Sequence, residues 1–308
     1  MSRTSAIRNA TIALLLMVLT LGVVLEIGTR RFIYRMSAGL SRLKGEWVAA
    51  TQSRLPGSDR RVLLVGNSLL EEDIDLGEIN RSLNNGWVVE RFAISLTSYF
   101  DWYFGMRRIL AGPSRPDVII FCFEPRHIVE TDIRGEIFAH YLMQKTDVWD
   151  VRRATNANLT GVTDLLLANM SAFYALRMEI RKNLLQKILP DLPALTGMIA
   201  RSPHPLPDNE TLDVTGRQRL AAAQNVATAS GSRFMLILTP PVRPQHAHTL
   251  LEIGREINVP VLSPLKDGVV ATDYQPDEYH LNLEGRRKFT QALIPQLVEA
   301  LDHLDASH

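Results

Sequence analysis

Four stretches of this chain are apolar at consecutive positions rather than at every second one, and that property decides most of what it can become. They are Arg61-Val62-Leu63-Leu64-Val65-Gly66, Trp87-Val88-Val89-Glu90-Arg91-Phe92-Ala93-Ile94, Asp117-Val118-Ile119-Ile120-Phe121-Cys122-Phe123 and Arg233-Phe234-Met235-Leu236-Ile237-Leu238. A strand with one wet face alternates apolar and polar residues. A strand covered on both faces does not, and such strands belong to parallel sheets whose crossovers are helices. Helical patterns fill the intervals at residues 76–83, 99–110, 216–229 and 247–257. A short strand follows at Pro260-Val261-Leu262, and an amphipathic helix closes the chain from Leu283 to about Leu304. The alternation predicts an α/β fold, a doubly wound, mostly parallel sheet with helices on both faces.

One segment breaks the rhythm. From about residue 139 to 195 the pattern is helical throughout, with Leu165, Leu166, Leu167, Tyr174, Met178, Leu184, Leu185 and Ile188 as its apolar positions and no strand candidate. It reads as a helical insertion at about 139–210, ended by a loop with three prolines at 201–207. Two readings stand: extra helices packed on the sheet edge, or a lid or partner-binding surface.

The N-terminus carries a different signal. Residues 10–25 are sixteen positions without a charge, closed by Glu26, Arg30 and Arg31. That core is shorter than the roughly 20 residues of an ideal span, so a signal peptide and an uncleaved anchor both fit its length. No small-x-small cleavage site follows, which favours one transmembrane helix within residues 1–31. Residues 32–58 then read as a connector and linker. Phe32, Ile33, Met36, Leu40, Leu43 and Trp47 recur at helical spacing with cations between them, as in a helix lying along a membrane surface. A linker at residues 52–58 leads into the body, 59–308. Arg30, Arg31, Arg35, Arg42 and Lys44 follow the span, against Arg3, Arg8 and the α-amino group before it. Counting cations alone therefore favours a cytoplasmic body.

Charge and cysteine content narrow the function. The 308 residues hold 34 Lys and Arg against 33 Asp and Glu, a net charge of +1, so the field that attracts nucleic acid is missing and no nucleic-acid partner is expected. The single cysteine, Cys122, allows no intrachain disulfide and no cysteine-based metal site. His246 and His248 form an H-x-H pair without a nearby third ligand, so no metal and no other cofactor is expected.

Two short stretches near opposite ends of the body carry chemistry. Gly66-Asn67-Ser68 follows the first strand directly; Asp277-Glu278-Tyr279-His280-Leu281-Asn282 precedes the last helix. Loops at the carboxyl ends of parallel strands form the binding crevice, which puts Ser68 at its edge. An Asp and a His three residues apart let the carboxylate hold the imidazole tautomer while the other ring nitrogen faces a serine hydroxyl, the arrangement acyl transfer needs. The plainer readings are Ser68 as a helix N-cap with Glu71 completing a capping box, and Asp277 and His280 as loop residues.

On these motifs the chain resembles the SGNH (GDSL-like) hydrolase and acyltransferase superfamily. Gly66-Asn67-Ser68 stands where that family has Gly-Asp-Ser, Asp277 and His280 match its Asp-x-x-His, and Leu281-Asn282 with Gly285 continues the pattern. The resemblance covers roughly residues 60–126 and 215–300. It implies Ser68 as nucleophile, His280 as base and Asp277 as its orienter. Two of the family's blocks are missing: the second strand runs into Ser95-Leu96-Thr97-Ser98 without a Gly, and the third into Glu124-Pro125-Arg126-His127 without an Asn. Either the site has lapsed, or Arg126, Ser95 or Thr97, with Asn67 beside the serine, supplies the oxyanion and substrate contacts. Anchored members of the superfamily often work beside multipass membrane O-acyltransferases. The resemblance therefore implies a body outside the cytoplasm, held at the inner membrane, acting with such a partner on a glycan or envelope polymer. It leaves open a plain esterase and a non-catalytic accessory protein.

Overall fold

The computed structural model describes residues 3–52, 59–83, 86–113, 115–189, 206–265 and 269–305. Beyond Gln52, the expected linker lies outside the described residues, as does the close of the insertion with its proline-rich loop up to residue 205. Helix α1 (Arg3–Gly28) runs on through a π-helical turn, Thr29–Ile33, into the short α2 (Tyr34–Met36) and then α3 (Ala38–Thr51). Strand β1 (Arg60–Gly66), α4 (Ser68–Asp73), α5 (Leu76–Ser82), β2 (Trp87–Ala93), α6 (Tyr99–Leu110) and β3 (Val118–Phe123) follow. Next come α7 (Pro125–Val129) and the inserted helices α8 (Glu136–Tyr141), α9 (Val148–Thr155), α10 (Leu159–Met170) and α11 (Ala172–Ile188). The chain ends with α12 (Asn209–Ala229), β4 (Arg233–Leu238), α13 (Pro244–Ile257), β5 (Val261–Leu262) and α14 (Leu283–Asp305).

The five strands form one all-parallel sheet in the order β2-β1-β3-β4-β5. Because successive side chains point to opposite faces, the apolar runs feed two cores. Leu63, Val65, Phe92, Ile119, Phe121 and Phe123 meet α3, α6, α12 and α13 on one face. Val62, Leu64, Val89, Ile120 and Cys122 meet α4, α5 and α14 on the other. Burying one such side chain fully contributes roughly 1.5–3 kcal/mol, and both faces do so along every central strand. The doubly wound α/β class is thus the observed one. Helix α12 begins at Asn209 rather than at Gly216, because the Asp208 carboxylate accepts from Thr211 N–H and caps it earlier.

The connector departs from expectation. Helix α3 does not offer its apolar side to a membrane: Leu40 and Leu43 are buried in the core and Trp47 packs on Phe92 and Tyr141. Glu46 accepts hydrogen bonds from Arg42, Arg91 and the Ala93 backbone N–H at the free edge of β2 (2.9, 2.9 and 2.8 Å). An amphipathic pattern states that an apolar face exists; here the sheet edge covers it. Helix α1, by contrast, has none of its apolar window buried between Ile7 and Ile33, so one N-terminal helix is long and apolar enough to be a single span or signal anchor.

Candidate active site

In strand order β2-β1-β3-β4-β5 the connections leave β1 and β3 in opposite directions, and the crevice opens between their carboxyl ends. Gly66 ends β1 there because the strands close together: a Cβ on it would lie 2.6 Å from the Cys122 carbonyl oxygen. The chain then turns, and Asn67, not Ser68, caps α4, its side-chain oxygen accepting from Leu69 N–H at 3.0 Å. Glu71 completes no capping box; it pairs with Arg42 at 2.7 Å. Ser68 is left with its hydroxyl free of any capping duty.

That hydroxyl lies 2.9 Å from Nε2 of His280, whose Nδ1 is 2.7 Å from Oδ2 of Asp277. Oδ1 of the same carboxylate accepts from the backbone N–H groups of Tyr279 and His280 at 3.0 and 3.1 Å. Burial pushes the Asp277 carboxyl up, but the His280 ring and these two amides outweigh it, and the net shift is downward. The group therefore stays ionised, which is what holding an imidazole through Nδ1–H requires. Asn282 secures the loop from behind: its oxygen caps α14 through Glu284 and Gly285 N–H, and its amide donates to the Thr272 and Tyr274 carbonyls. Gly285 is demanded by the same contact, since a Cβ would collide with the Asp273 carbonyl oxygen.

The other expected site residues take different places. The Asn67 amide donates to the Thr97 carbonyl at 3.1 Å and faces the His127 ring at 3.1–3.2 Å, so it ties the ends of three strands together rather than pointing at a ligand. Thr97 gives its one hydroxyl proton to the Ile94 carbonyl (2.6 Å) and accepts from Trp102 Nε1 (2.8 Å). Buried and committed, its hydroxyl is no oxyanion donor. Ser95 is exposed in the turn beside it. Next to Ser95, Leu96 adopts φ +64° with its side chain 73% exposed. This left-handed backbone favours glycine, so the conformation a Gly would provide is present although the Gly is not.

Arg126 reaches the site indirectly. Its Nε donates to Glu124 at 2.7 Å, and its Nη2 to Glu124 and, at 3.2 Å, to the Tyr279 hydroxyl. Tyr279 in turn donates to Glu124 Oε1 at 3.1 Å. Burial raises the Glu124 pKa, against the pull of Arg126. Two buried charged groups, Glu124 and Arg126, thus grip Tyr279, one of the two residues between Asp277 and His280. On the other side of His280, the buried Asp73 at the end of α4 accepts from Leu281 N–H at 2.8 Å. Burial pushes its carboxyl up to about 8, with the Leu281 amide pulling the other way. Glu124, Tyr279 and Asp73 carry no signature of their own in the sequence; only their neighbours at the two motifs hint at them. His246 and His248 lie two residues apart on α13, one buried and one exposed, and do not converge.

No family model matches the chain, and no curated protein sequence matches it. Among solved structures it is similar to one titled "Crystal Structure of TesA", at 12% identity and a TM-score of 0.41, over 77% of this chain and 98% of that one. So loose a likeness adds nothing to the site's own geometry.

Proposed function

We propose that the protein is a membrane-anchored, serine-dependent O-acyltransferase or esterase acting on an extracytoplasmic glycan or envelope polymer. The observation that carries this reading is the unbroken relay from Ser68 Oγ through His280 to Asp277. In the reaction, Ser68 Oγ bonds to the ester carbonyl carbon as its proton passes to His280 Nε2. The bond to the departing alcohol then breaks, and that alcohol takes the proton. An acceptor hydroxyl repeats the sequence on the acyl-serine and leaves as the new ester; water in its place gives hydrolysis. Asp277 steadies the imidazolium in both halves. The oxyanion is held by the exposed turn at Ser95 and Leu96, in place of the Gly of the family the motifs resemble, while Arg126 acts through Tyr279 on the loop that carries His280.

The choice of a polymer acceptor and of a multipass membrane partner as acyl donor rests on that resemblance and on α1, since a tether raises the effective concentration of an enzyme beside a membrane-borne donor. Incubating the full chain in mild detergent with a fluorophosphonate tests the serine chemistry. Labelling is expected in the native chain and lost in Ser68→Ala and His280→Ala. An unlabelled native chain, or labelling that survives Ser68→Ala, overturns the reading. Acetylated oligosaccharide against free acetate, measured with an activated acetyl ester, then separates transferase from esterase.

A further inference from the structure

We infer that the inserted helix α10 is itself a membrane element: its outward stripe sits in the acyl region of the same bilayer that α1 crosses, giving the body a second point of attachment. The inference rests on α1 being an uncleaved span.

The decisive residue is Glu26. It stands one position past the uncharged core of α1, residues 10–25. At 1.5 Å per residue it lies about 13 Å from that core's midpoint, inside the roughly 15 Å half-thickness of the hydrocarbon. A carboxylate at that depth needs its hydrogen bonds from protein. It receives them from the elbow between α10 and α11: Ser171 Oγ donates at 2.8 Å, and the backbone N–H groups of Ala172 and Phe173 donate at 3.0 Å each. Arg30 adds a fourth at 2.5 Å. Met170, the last residue of α10, is therefore held at the depth of Glu26 by direct bonding to the span.

The surface presented there suits lipid. Leu159, Thr163, Leu167 and Met170 are exposed on α10, at 66% for Leu159, 39% for Leu167 and 57% for Met170. At 100° per residue they fall within an arc of roughly 80°. No charge lies in that arc, and the Thr163 hydroxyl donates back to the Leu159 carbonyl at 3.0 Å. The helix's one ionisable side chain, Asp164, accepts from the Tyr174 hydroxyl at 2.5 Å. Asn169 donates both amide protons inward, to the Ala139 and Met143 carbonyls. The opposite side, with Val162, Leu165 and Ala168, is buried against the body. The Thr163, Asp164 and Asn169 side chains of α10 are thus all bonded within the protein, and α10 with α11 as far as Leu185 is long and apolar enough to cross a membrane, bending 93° at Ser171. Water beside such a stripe is unfavourable; acyl chains are the covering that α1 brings to the same spot.

The buried Cys122 makes the test direct, because its thiol offers no labelling target. Single cysteines replacing Leu167 and Met170 in the full chain carry a nitroxide, after reconstitution into phosphatidylcholine–phosphatidylglycerol nanodiscs. Val18 on α1 supplies the lipid reference and Val214 on α12 the water reference, both being exposed. The expected result is loss of collisions with a water-soluble nickel chelate and gain of collisions with oxygen at Leu167 and Met170, as at Val18. Nickel collisions at the Val214 level overturn the inference, and so does protection from both reagents, which would mean a protein covering. A Val18 label that reads water removes the span itself and the inference with it, while leaving the serine chemistry at Ser68 untouched.

Discussion

Tyr279, with Glu278, separates Asp277 from His280 in the chain, and its hydroxyl is bound by Arg126 and Glu124. Removing that hydroxyl leaves the relay's atoms in place and loosens the loop that carries them. Tyr279→Phe is expected to lower kcat on the order of 10-fold with KM little changed, since small misplacements of reacting groups are costly. Equal kcat in the two proteins would assign the tyrosine to packing alone. Arg126→Ala is a different matter: it strands the Glu124 carboxylate in a buried site, and loss of about 3–5 kcal/mol is expected. Glu124→Gln combined with Arg126→Gln should recover most of that in thermal denaturation, leaving any deficit in rate as Arg126's own. Asp73 adds a pH signature. Its folded pKa, about 8, stands above the ordinary carboxylate value of 3.8. The folded state therefore holds a proton that the unfolded state releases. That contribution is complete below pH 4 and fades as pH rises through 8. Asp73→Asn keeps an acceptor for Leu281 N–H, so the variant should melt above the native protein at pH 9 and coincide with it near pH 4. A constant offset at both values would deny the shift. Ser68, Asp277 and His280 were legible because their motifs are local and their places follow from strand order. The buried acids were not: Asp73 ends the run Leu69-Leu70-Glu71-Glu72-Asp73 and looks like a solvated helix terminus until α14 packs over it.

Among the elements, the strands were readable because burial on both faces writes itself as an unbroken apolar run. The role of α3 was not, because periodicity records an apolar face without naming what covers it. The covering is β2 and its neighbours, and Glu46 is the hinge of the contact, facing Arg42, Arg91 and the Ala93 amide at once. Glu46→Ala is expected to cost about 1–3 kcal/mol, the usual penalty for leaving buried polar groups unsatisfied. A thermal midpoint unchanged from the native protein would show that α3 is only loosely held. The insertion shows the same asymmetry. Its helices were evident from spacing, whereas the bond between Glu26 and the start of α11 joins residues more than 140 positions apart in sequence and leaves no periodic trace.

For the molecule as a whole, two arguments about orientation oppose each other. The cations after the span favour a cytoplasmic body, while the proposed polymer substrate requires the opposite side. A reporter joined to the C-terminus is expected to be active outside the cytoplasm; activity confined to the cytoplasm would remove the polymer from the proposal. The packing of α3 also bears on how the body behaves once freed from the membrane. Strand β2 ends the sheet, and its open backbone is met by side chains of α3: Glu46 takes the Ala93 N–H, and Arg42 donates to the Ala93 carbonyl at 3.3 Å. Cleavage between α1 and α3, near Ser37, would release a body with that rim still sealed. Cleavage just before β1, near Asp59, would uncover it, and a bare strand rim recruits strands from other chains. With α10 common to both, the shorter fragment should therefore self-associate more strongly than the longer one in sedimentation, and equal association of the two would show that α3 does not guard the rim.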